Sequence, residues 1–497
     1  MNIPASGIIL IPLSIGILVF APSRLTEWAM FTTIFQAAAI ANLGGGFAIG
    51  VAPYFFVALL VAVRLIPQWW SGCVRFDRNE PTLRHMRVLA LFVVWTVFSA
   101  FASPVLFAGT AVDSPRKGVD QSFFSQMPLH WSFSNAGQAA YMLLNFIMLL
   151  QMVRMSRQAG YLERLQRTFS WSGVCVVAIG AYQLLCPHLG LRFPAWLFNS
   201  NTAWAQAYEQ TFSGISRLSS TFVEPSDAAS FLSAWALFEL TIVISGTKNR
   251  GWHWLCVVAG TIALVETAST TGYITVALMC TAICITTLKT VLTRGRLNLR
   301  AVLVVGIMAV GAIVALAVMP SAQLVLNSVL FGKASSASGV HRMATLGRAV
   351  EVFYNTLTLG AGLGSNRAMS LAFYVLSNLG LPGIILLSCL LFQLSFQYLQ
   401  LKRAWPCFAN RLFVQAAGTA YVANLMAMVF SGAEVTTPRL WILWGMLLAG
   451  LRQGWWLVVE TAGRQVIELD AASVIEPGDE LPFSLSHSQG HQGLGQA

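Results

Sequence analysis

The chain has 497 residues, of which 56% are hydrophobic and only 10% are charged, and its net charge is +11. A soluble domain carries about a quarter charged residues. In water, a chain with so few charges would expose large apolar patches, so this composition excludes an ordinary soluble protein. The positive charge predicts basic cytoplasmic loops rather than a nucleic-acid partner, because no basic stripe is interleaved with aromatic residues.

Apolar runs recur along the chain and have the length that a bilayer requires, about 20 mostly apolar residues. They lack the alternating polarity of membrane β-strands. The sequence therefore predicts an all-α, polytopic helical membrane protein with about 13 transmembrane helices, or 12 in the alternative count. The predicted spans are 6–21, 29–43, 46–66, 88–109, 136–153, 169–187, 227–245, 252–266, 271–288, 301–320, 372–400, 412–430 and 440–458.

Two regions need a separate prediction. At the N-terminus, 6–21 and 29–43 are short and precede three glycines, so they are either two separate helices or a tilted or re-entrant pair. At the other end, 1–458 is predicted to be the membrane domain. Residues 459–497 are polar and lack apolar periodicity, which predicts a disordered cytoplasmic tail.

Loop charge predicts the orientation of the spans. The strongly basic loops, which we place in the cytoplasm, carry Arg75, Arg78, Arg84, Arg87, Arg154, Arg157, Arg164, Arg167, Lys248, Arg250, Lys289, Arg294, Arg296, Arg300, Lys402, Arg403 and Arg411. The alternate loops then face outward. Two of these outward loops, 188–226 and 321–371, are long, and a third, 110–135, is moderate.

The first long outward loop ends in a polar segment from Arg217 to Asp227, directly before an apolar run. Glu224 and Asp227 have two readings: they complement the dipole at a helix start, or they act on a substrate. Arg217 at the membrane edge predicts contact with a phosphate, from a lipid headgroup or from a membrane-borne substrate. Glu266 is the last residue of the later span 252–266 and is either a functional acid or a solvated turn residue.

The second long loop contains an amphipathic helix, predicted over 340–358 from a periodicity of 100° per residue. One face is apolar and the other is polar, so the helix is predicted to lie against the membrane or the bundle. The polar face either meets solvent or lines a cavity, with Arg342 at its edge. The apolar set is Met343, Leu346, Val350, Phe353, Tyr354 and Leu357, and the polar set is His341, Thr345, Arg348, Glu351 and Asn355.

Closely spaced glycines follow this helix at 360–364, with Arg367 beside them. Glycines let backbone N–H groups approach a ligand, and such concavities favour anions. Together with Arg348, they predict an anion site that includes Gly362 and Gly364. No signature of a zinc protease, a nucleotide-binding loop or a serine hydrolase is present, so neither a metal nor a cofactor is expected.

These segments resemble the bacterial O-antigen polymerase and O-antigen ligase family. The first match is R-x-x-x-T-F-x-E-P-S from Arg217, and the second is Ser269-Thr270-Thr271-Gly272-Tyr273. The third is Arg348, then the glycine cluster, then Asn378-Leu379-Gly380-Leu381-Pro382-Gly383. The multi-span layout with two large outward loops extends the resemblance over most of the chain.

The resemblance implies a metal-independent glycosyltransferase of GT-C-type architecture in the bacterial inner membrane. Its substrate would be a glycan on undecaprenyl pyrophosphate, and a chain-length regulator and a flippase are the implied protein partners. Ligases of the family carry a His-Asn pair where this chain has Met369-Ser370, which favours a polymerase of exopolysaccharide or O-antigen repeats.

The reaction implied by the resemblance gives roles to outward residues. A leaving pyrophosphate develops negative charge that arginines stabilise, and the attacking hydroxyl needs a base. The predicted catalytic residues are Glu224, Glu351 and Arg348, with Glu224 the first choice of base. The predicted substrate-binding residues are Arg217, Arg342, Arg367, Gly362, Gly364, His341 and Glu266.

Three alternatives stay open. A ligase would transfer finished glycan to lipid A or another acceptor. A lipid-linked oligosaccharide transporter would place charges inside its helices, whereas nearly all charges here fall at loops and edges. A non-catalytic partner of an export complex would need no cluster of outward arginines.

Overall fold

The apolar runs of the sequence form helices in a computed structural model of the chain. It describes residues 2–43, 49–70, 80–113, 126–203, 206, 209, 211–212, 215–245, 250–294, 306, 337–404, 408–432 and 434–474. The helices are α1 Ala5–Phe20, α2 Leu25–Thr32, α3 Pro53–Trp70, α4 Pro81–Leu106, α5 Phe133–Met155, α6 Tyr161–Leu185, α7 Ala195–Phe198, α8 Pro225–Ser245, α9 Arg250–Glu266, α10 Thr270–Arg294, α11 Ala337–Asn355, α12 Leu371–Ala404, α13 Phe408–Phe430 and α14 Pro438–Val474.

Among the residues that the structure describes, three of the loops contain short antiparallel hairpins. Their strands are β1 Ala41–Leu43 with β2 Ile49–Val51, β3 Ala111–Asp113 with β4 Gln126–Pro128, and β5 Thr211–Phe212 with β6 Ile215–Ser216. In the second hairpin, Asp113 lies directly opposite Gln126, a pairing that matters for the candidate site below.

Seven helices in the described part of the chain are long and apolar enough, by length and composition, to cross a membrane. They are Pro81–Leu106, Phe133–Met155, Tyr161–Leu185, Pro225–Ser245, Leu371–Lys402, Asn410–Phe430 and Pro438–Thr461. The number rises to eight if the bent pair Ala5–Phe20 and Pro22–Thr32 is one span. The chain is therefore a polytopic helical membrane protein, as its composition predicts.

The N-terminal prediction of a span at 29–43 is wrong. Helix α2 ends at Thr32, the bend between the first two helices is 118°, and 41–43 is a strand. Backbone groups of this apolar segment pair with a distant loop instead of with each other: the Ala37 N–H donates to the Thr221 carbonyl at 3.0 Å, and the Asn201 N–H donates to the Ala37 carbonyl at 3.1 Å. The predicted span 46–66 likewise starts too early, because its helix begins at Pro53.

The other predicted spans each coincide with a helix, except 301–320, where residue 306 alone is among the described residues. The boundary of the predicted tail is wrong. Helix α14 continues to Val474, so the first part of 459–497 is helical, while the rest of that range lies outside the described residues.

Helix α8 is the centre of the bundle, since 83% of its apolar window is buried and it packs against α9, α10 and α13. Its Trp235 fills a notch at Gly173 of α6, where a Cβ atom would lie 1.9 Å from the indole. Outer helices such as α4 instead expose Leu91, Val94 and Phe98, which is the arrangement expected where side chains face lipid.

The bundle has two ends with different loops. We call the end where α5 passes to α6 through Arg154, Arg157, Arg164 and Arg167 the basic end. We call the opposite end, where α8 begins and α9 passes to α10, the outer end. Helix α11 and the β3–β4 hairpin also lie at the outer end.

Helix α12 is kinked at Gly380, where φ is 63° and ψ is −160°. Pro382 has no N–H to donate to the Asn378 carbonyl, and that carbonyl instead accepts from the Gly362 N–H at 2.8 Å. The freed Ser377 carbonyl accepts from the Ala361 N–H at 2.8 Å. The kink therefore fixes the glycine turn 360–364 against the bundle.

Candidate outer-end site

Arg348 and Asp113 form an ion pair at the outer end. The Nε atom of Arg348 lies 3.1 Å from Oδ1 of Asp113, and the two side chains are 20% and 12% exposed. Gln126, opposite Asp113 in the hairpin, accepts from the guanidinium when its amide oxygen faces Arg348. The pair is thus held by a helix on one side and a hairpin on the other.

Helix α11 presents Arg348 to the hairpin because its small residues face inward. Thr345, Ala349, Val352 and Thr356 are buried, whereas the apolar Met343 and Leu357 are 69% and 74% exposed. Of the two predicted surfaces for the apolar face, membrane or bundle, this orientation fits the membrane. Of the predicted polar face, Thr345 is buried and Arg348 is partly buried beside the hairpin, whereas Glu351 and Asn355 are exposed.

The backbone of Asp113 is held by the segment after the glycine turn. Its N–H donates to Oδ1 of Asn366 at 2.9 Å, and its carbonyl accepts from the Arg367 N–H at 3.3 Å. Arg367 therefore lies near the same carboxyl group as Arg348. Burial raises the pKa of the Asp113 carboxyl above its ordinary value, opposed by the positive charges of Arg348 and Arg367 and reinforced by Glu351.

One oxygen of this carboxyl group is left over. Oδ2 of Asp113 is buried and has no hydrogen-bond partner among the described residues. Since buried polar atoms are almost always paired in folded proteins, this oxygen can accept a hydrogen bond from a group beyond the described residues.

The glycine turn is not the anion-binding surface that the sequence predicts. Gly360, Gly362 and Gly364 all have positive φ values, 85°, 98° and 78°, and all are buried. The Gly362 N–H is used by the bundle, and a Cβ there would lie 2.5 Å from the Ser99 carbonyl oxygen. A Cβ at Gly364 would lie 2.8 Å from Gln138. These glycines permit close packing and position Asn366 and Arg367.

Arg217 clamps the turn between α9 and α10. Its Nε donates to the Thr267 carbonyl at 3.0 Å and its Nη2 to the Ala268 carbonyl at 3.1 Å, while the Leu218 N–H donates to the Glu266 carbonyl at 2.9 Å. Burial lowers the pKa of Arg217, and Glu224 and Tyr273 counteract this. Arg217 thus has a structural task that the sequence does not indicate.

Helix α11 and the start of α10 meet at one carbonyl group. Arg342 donates through Nη1 to the Phe430 carbonyl at the end of α13, and the Thr271 hydroxyl donates to the same oxygen at 3.3 Å. Thr271 lies in the first turn of α10, next to the turn that Arg217 holds. Arg348 is six residues after Arg342, roughly 9 Å along the helix, so α11 and the turn that Arg217 holds lie at the same end of the bundle.

The predicted acids differ in their surroundings. Glu224 caps α8: its carbonyl accepts from the N–H groups of Asp227 and Ala228, and its carboxylate accepts from Ser226. Glu266 is half-buried at the clamped turn, and Glu351 is exposed one turn after Arg348. His341 lies on α11, but its side chain is outside the described residues.

Sequence reasoning missed three charged residues at this end. Asp113 lies in the moderate loop, and Glu434 and Arg439 flank the short connection between α13 and α14. Oε2 of Glu434 accepts from Gln138 at 2.8 Å. Buried Arg439 donates to Asn424 at 2.5 Å and to the Asp227 carbonyl at 3.1 Å. In a chain so poor in charge, an acid and an arginine in the same outward loop can indicate a functional site from the sequence alone.

Compared with models of protein families and with curated protein sequences, the chain matches none. The functional reading of the outer end consequently depends on the chemistry of its own residues and on the motif resemblance.

Proposed function

We propose that the chain is a membrane polymerase that joins undecaprenyl-pyrophosphate-linked oligosaccharide repeat units into a polysaccharide at its outer end. The observation that carries the proposal is the Arg348–Asp113 pair, with Arg367 beside the same carboxyl group. Partly exposed arginines fixed by a carboxylate and by packed backbone form a preorganised site for a phosphate-bearing leaving group.

The proposed reaction is a glycosyl transfer. A sugar hydroxyl of one lipid-linked repeat attacks the anomeric carbon of the growing glycan, the new C–O bond forms, and the bond to the lipid pyrophosphate breaks. Arg348 and Arg367 stabilise the charge that develops on the pyrophosphate. Asp113 holds Nε of Arg348, and exposed Gln126 is the group that a phosphate oxygen would displace.

The proton of the attacking hydroxyl needs an acceptor. Glu351 is exposed and lies one turn after Arg348 on α11, so we assign it this role. Glu224, the first choice from the sequence, is engaged at the start of α8 and fits the role of a capping residue better.

The outer-end charges also bear on the rival functions. A ligase would use the same leaving-group chemistry and would differ only in its acceptor, so the structure favours neither over the other. A transporter would place charges inside its helices, and one carboxylate does lie there, since Glu239 of α8 is fully buried. That carboxylate lies near the basic end, away from the arginines that carry this proposal.

The test is reconstitution of the purified full-length chain into liposomes with a lipid-linked repeat unit, followed by sizing of the glycan products. The proposal predicts a ladder of lengths and no requirement for nucleotide. A single transfer to another acceptor would indicate a ligase. Movement of the lipid across the bilayer without new linkages would indicate a transporter, and either result would contradict the proposal.

A further inference from the structure

A second cluster of ionisable groups lies near the basic end, within the bundle. Glu239 of α8 is fully buried. Its Oε1 accepts from the Ser170 hydroxyl of α6 at 2.5 Å, and its Oε2 lies 2.5 Å from Nδ1 of His253 in α9. A buried carboxylate needs such partners to offset its desolvation. Because both oxygens act as acceptors, Nδ1 of His253 carries the proton in this contact.

His253 also faces a cavity of about 270 Å³. The side chains around it are those of Glu163, Gln166, Arg167, Ser170, Trp171, Trp252 and His253. Only 8% of His253 is exposed, and its hydrogen bond within the described part of the chain goes through Nδ1. The contact between Glu239 and Nδ1 fixes the orientation of the His253 ring. Nε2 is therefore the ring atom available to a group in the cavity, as in sites where a carboxylate orients a histidine.

The other polar residues define the charge of the ligand. Arg167 is exposed and offers a planar set of donors that suits a phosphate. Glu163 is also exposed, and its carboxylate accepts hydrogen bonds from hydroxyl groups but repels additional negative charge. Gln166 donates and accepts. This combination suits a single phosphodiester that carries neighbouring hydroxyl groups, and it disfavours a phosphomonoester or a pyrophosphate.

Two tryptophans indicate that the ligand comes from the membrane. Trp171 and Trp252 are both exposed, from neighbouring helices, and their ring centroids are 5.1 Å apart. Tryptophan is enriched at the membrane interface, where an apolar ring meets polar headgroups. Basic pockets between membrane helices on the cytoplasmic side bind anionic headgroups.

We propose that this cavity binds the headgroup of an anionic phospholipid with free hydroxyl groups, of the phosphatidylglycerol type, in the leaflet at the basic end. Arg167 binds the phosphate, while Glu163 and Nε2 of His253 bind the hydroxyl groups. The site is independent of the outer-end chemistry, so failure of the proposed function would leave it untouched.

The test measures lipid retention by the full-length protein in detergent, by native mass spectrometry with phosphatidylglycerol and phosphatidylcholine. The proposal predicts preferential retention of phosphatidylglycerol and an affinity about tenfold lower for Arg167→Ala, the loss expected for one charge-assisted contact. The control is Arg87→Ala, which removes another exposed arginine at the same end and should leave retention unchanged. Equal losses in both variants would overturn the proposal.

Two further arms fix the ligand class. Glu163→Gln should increase the retention of phosphatidic acid relative to phosphatidylglycerol, because the repulsion of a second phosphate charge is removed. Soluble glycerol phosphate should not displace the bound lipid. An unchanged lipid preference in Glu163→Gln, or displacement by glycerol phosphate, would contradict the headgroup assignment.

Discussion

Two arginine–carboxylate pairs lie at opposite ends of the bundle and differ in how many of their polar atoms have hydrogen-bond partners. At the basic end, buried Arg452 contacts Glu80 through two nitrogens, at 2.8 and 3.1 Å, and donates a third hydrogen bond to the Val153 carbonyl at 2.9 Å. Trp456 and Arg157 donate to the same Glu80 oxygen, each at 3.2 Å. Glu80 is fully buried, so this cluster joins α4, α5 and α14.

The outer pair is built differently. The Nε atom of Arg348 lies 3.1 Å from Oδ1 of Asp113, Oδ2 is buried without a hydrogen-bond partner among the described residues, and Arg348 is partly exposed. The basic-end cluster is closed, which suits a structural role. The outer arginine is fixed through Nε, while its Nη atoms face the exposed Gln126 side chain, a group that an external anion can replace.

The largest effect that the comparison predicts is on stability, for Arg452→Ala. Removal of one partner leaves the Glu80 charge buried and uncompensated, which costs about 3–5 kcal/mol. Thermal unfolding in detergent micelles measures this. Arg157→Ala is the control, because its side chain is 47% exposed and such pairs contribute up to about 1 kcal/mol. Equal costs for the two variants would contradict the structural reading.

The next effect is on activity, for Arg348→Ala. Loss of a preorganised donor to the leaving group should slow chain growth by about 10²–10³-fold, or about 2.7–4 kcal/mol of transition-state stabilisation. Arg348→Lys should not restore the rate if the planar fork matters. The rate of chain growth in liposomes measures both. Exposed Arg192 also follows a helix that ends at the outer end, and Arg192→Ala should grow chains normally; an equal loss there would make the effect non-specific.

A smaller effect is expected for Gly362→Ala, which tests how the outer site is positioned. The φ of 98° and the approach of a Cβ to the Ser99 carbonyl at 2.5 Å should cost about 1–3 kcal/mol of stability. Gly347→Ala is the matched control, because no atom lies within 4 Å of its Cβ and alanine favours a helix by about 0.5–1 kcal/mol. Thermal unfolding that ranks the two in the reverse order would contradict this account of the turn.

The smallest effect is the pH dependence of stability that Asp113 contributes. Its pKa is raised above 3.8, so the folded protein binds this proton more readily than the unfolded chain does. The contribution is present at low pH and is lost as the pH rises through the raised pKa. Relative to Asp113→Asn, the wild type should therefore gain stability on acidification, by about 1 kcal/mol or less, because Arg348 and Arg367 oppose the effect of burial. Melting curves that show a relative loss instead would reverse the assigned direction.

The sequence predicts the helices well where the signal is local. Helix α11 is predicted at 340–358 and found at Ala337–Asn355, because amphipathic periodicity depends only on neighbouring residues. The segment 29–43 fails for the opposite reason: it is apolar enough for a span, but its backbone pairs with Asn201 and Thr221, contacts that no local pattern contains.

In the candidate site, too, the features with a local signal are predicted from the sequence, and the contacts between distant segments are not. Arg348, Arg367 and Arg342 are predicted from charge in outward loops, and the structure brings them to one end. The Asp113 partner of Arg348 comes from a distant hairpin, and the clamp of Arg217 on Thr267 and Ala268 depends on how two loops fold together. The glycine cluster is visible in the sequence, but only the Pro382 kink shows that its N–H groups serve packing.

The most direct test of the contrast between the two ends is a paired measurement on Arg348→Ala and Arg452→Lys. For each variant, the binding of undecaprenyl pyrophosphate and the thermal stability are measured in the same detergent. The account predicts weaker binding with the smaller loss of stability for Arg348→Ala, because Arg367 still lies near the Asp113 carboxyl. It predicts the larger loss of stability with unchanged binding per folded molecule for Arg452→Lys. Unchanged binding by Arg348→Ala would contradict the assignment of the outer pair as the anion site.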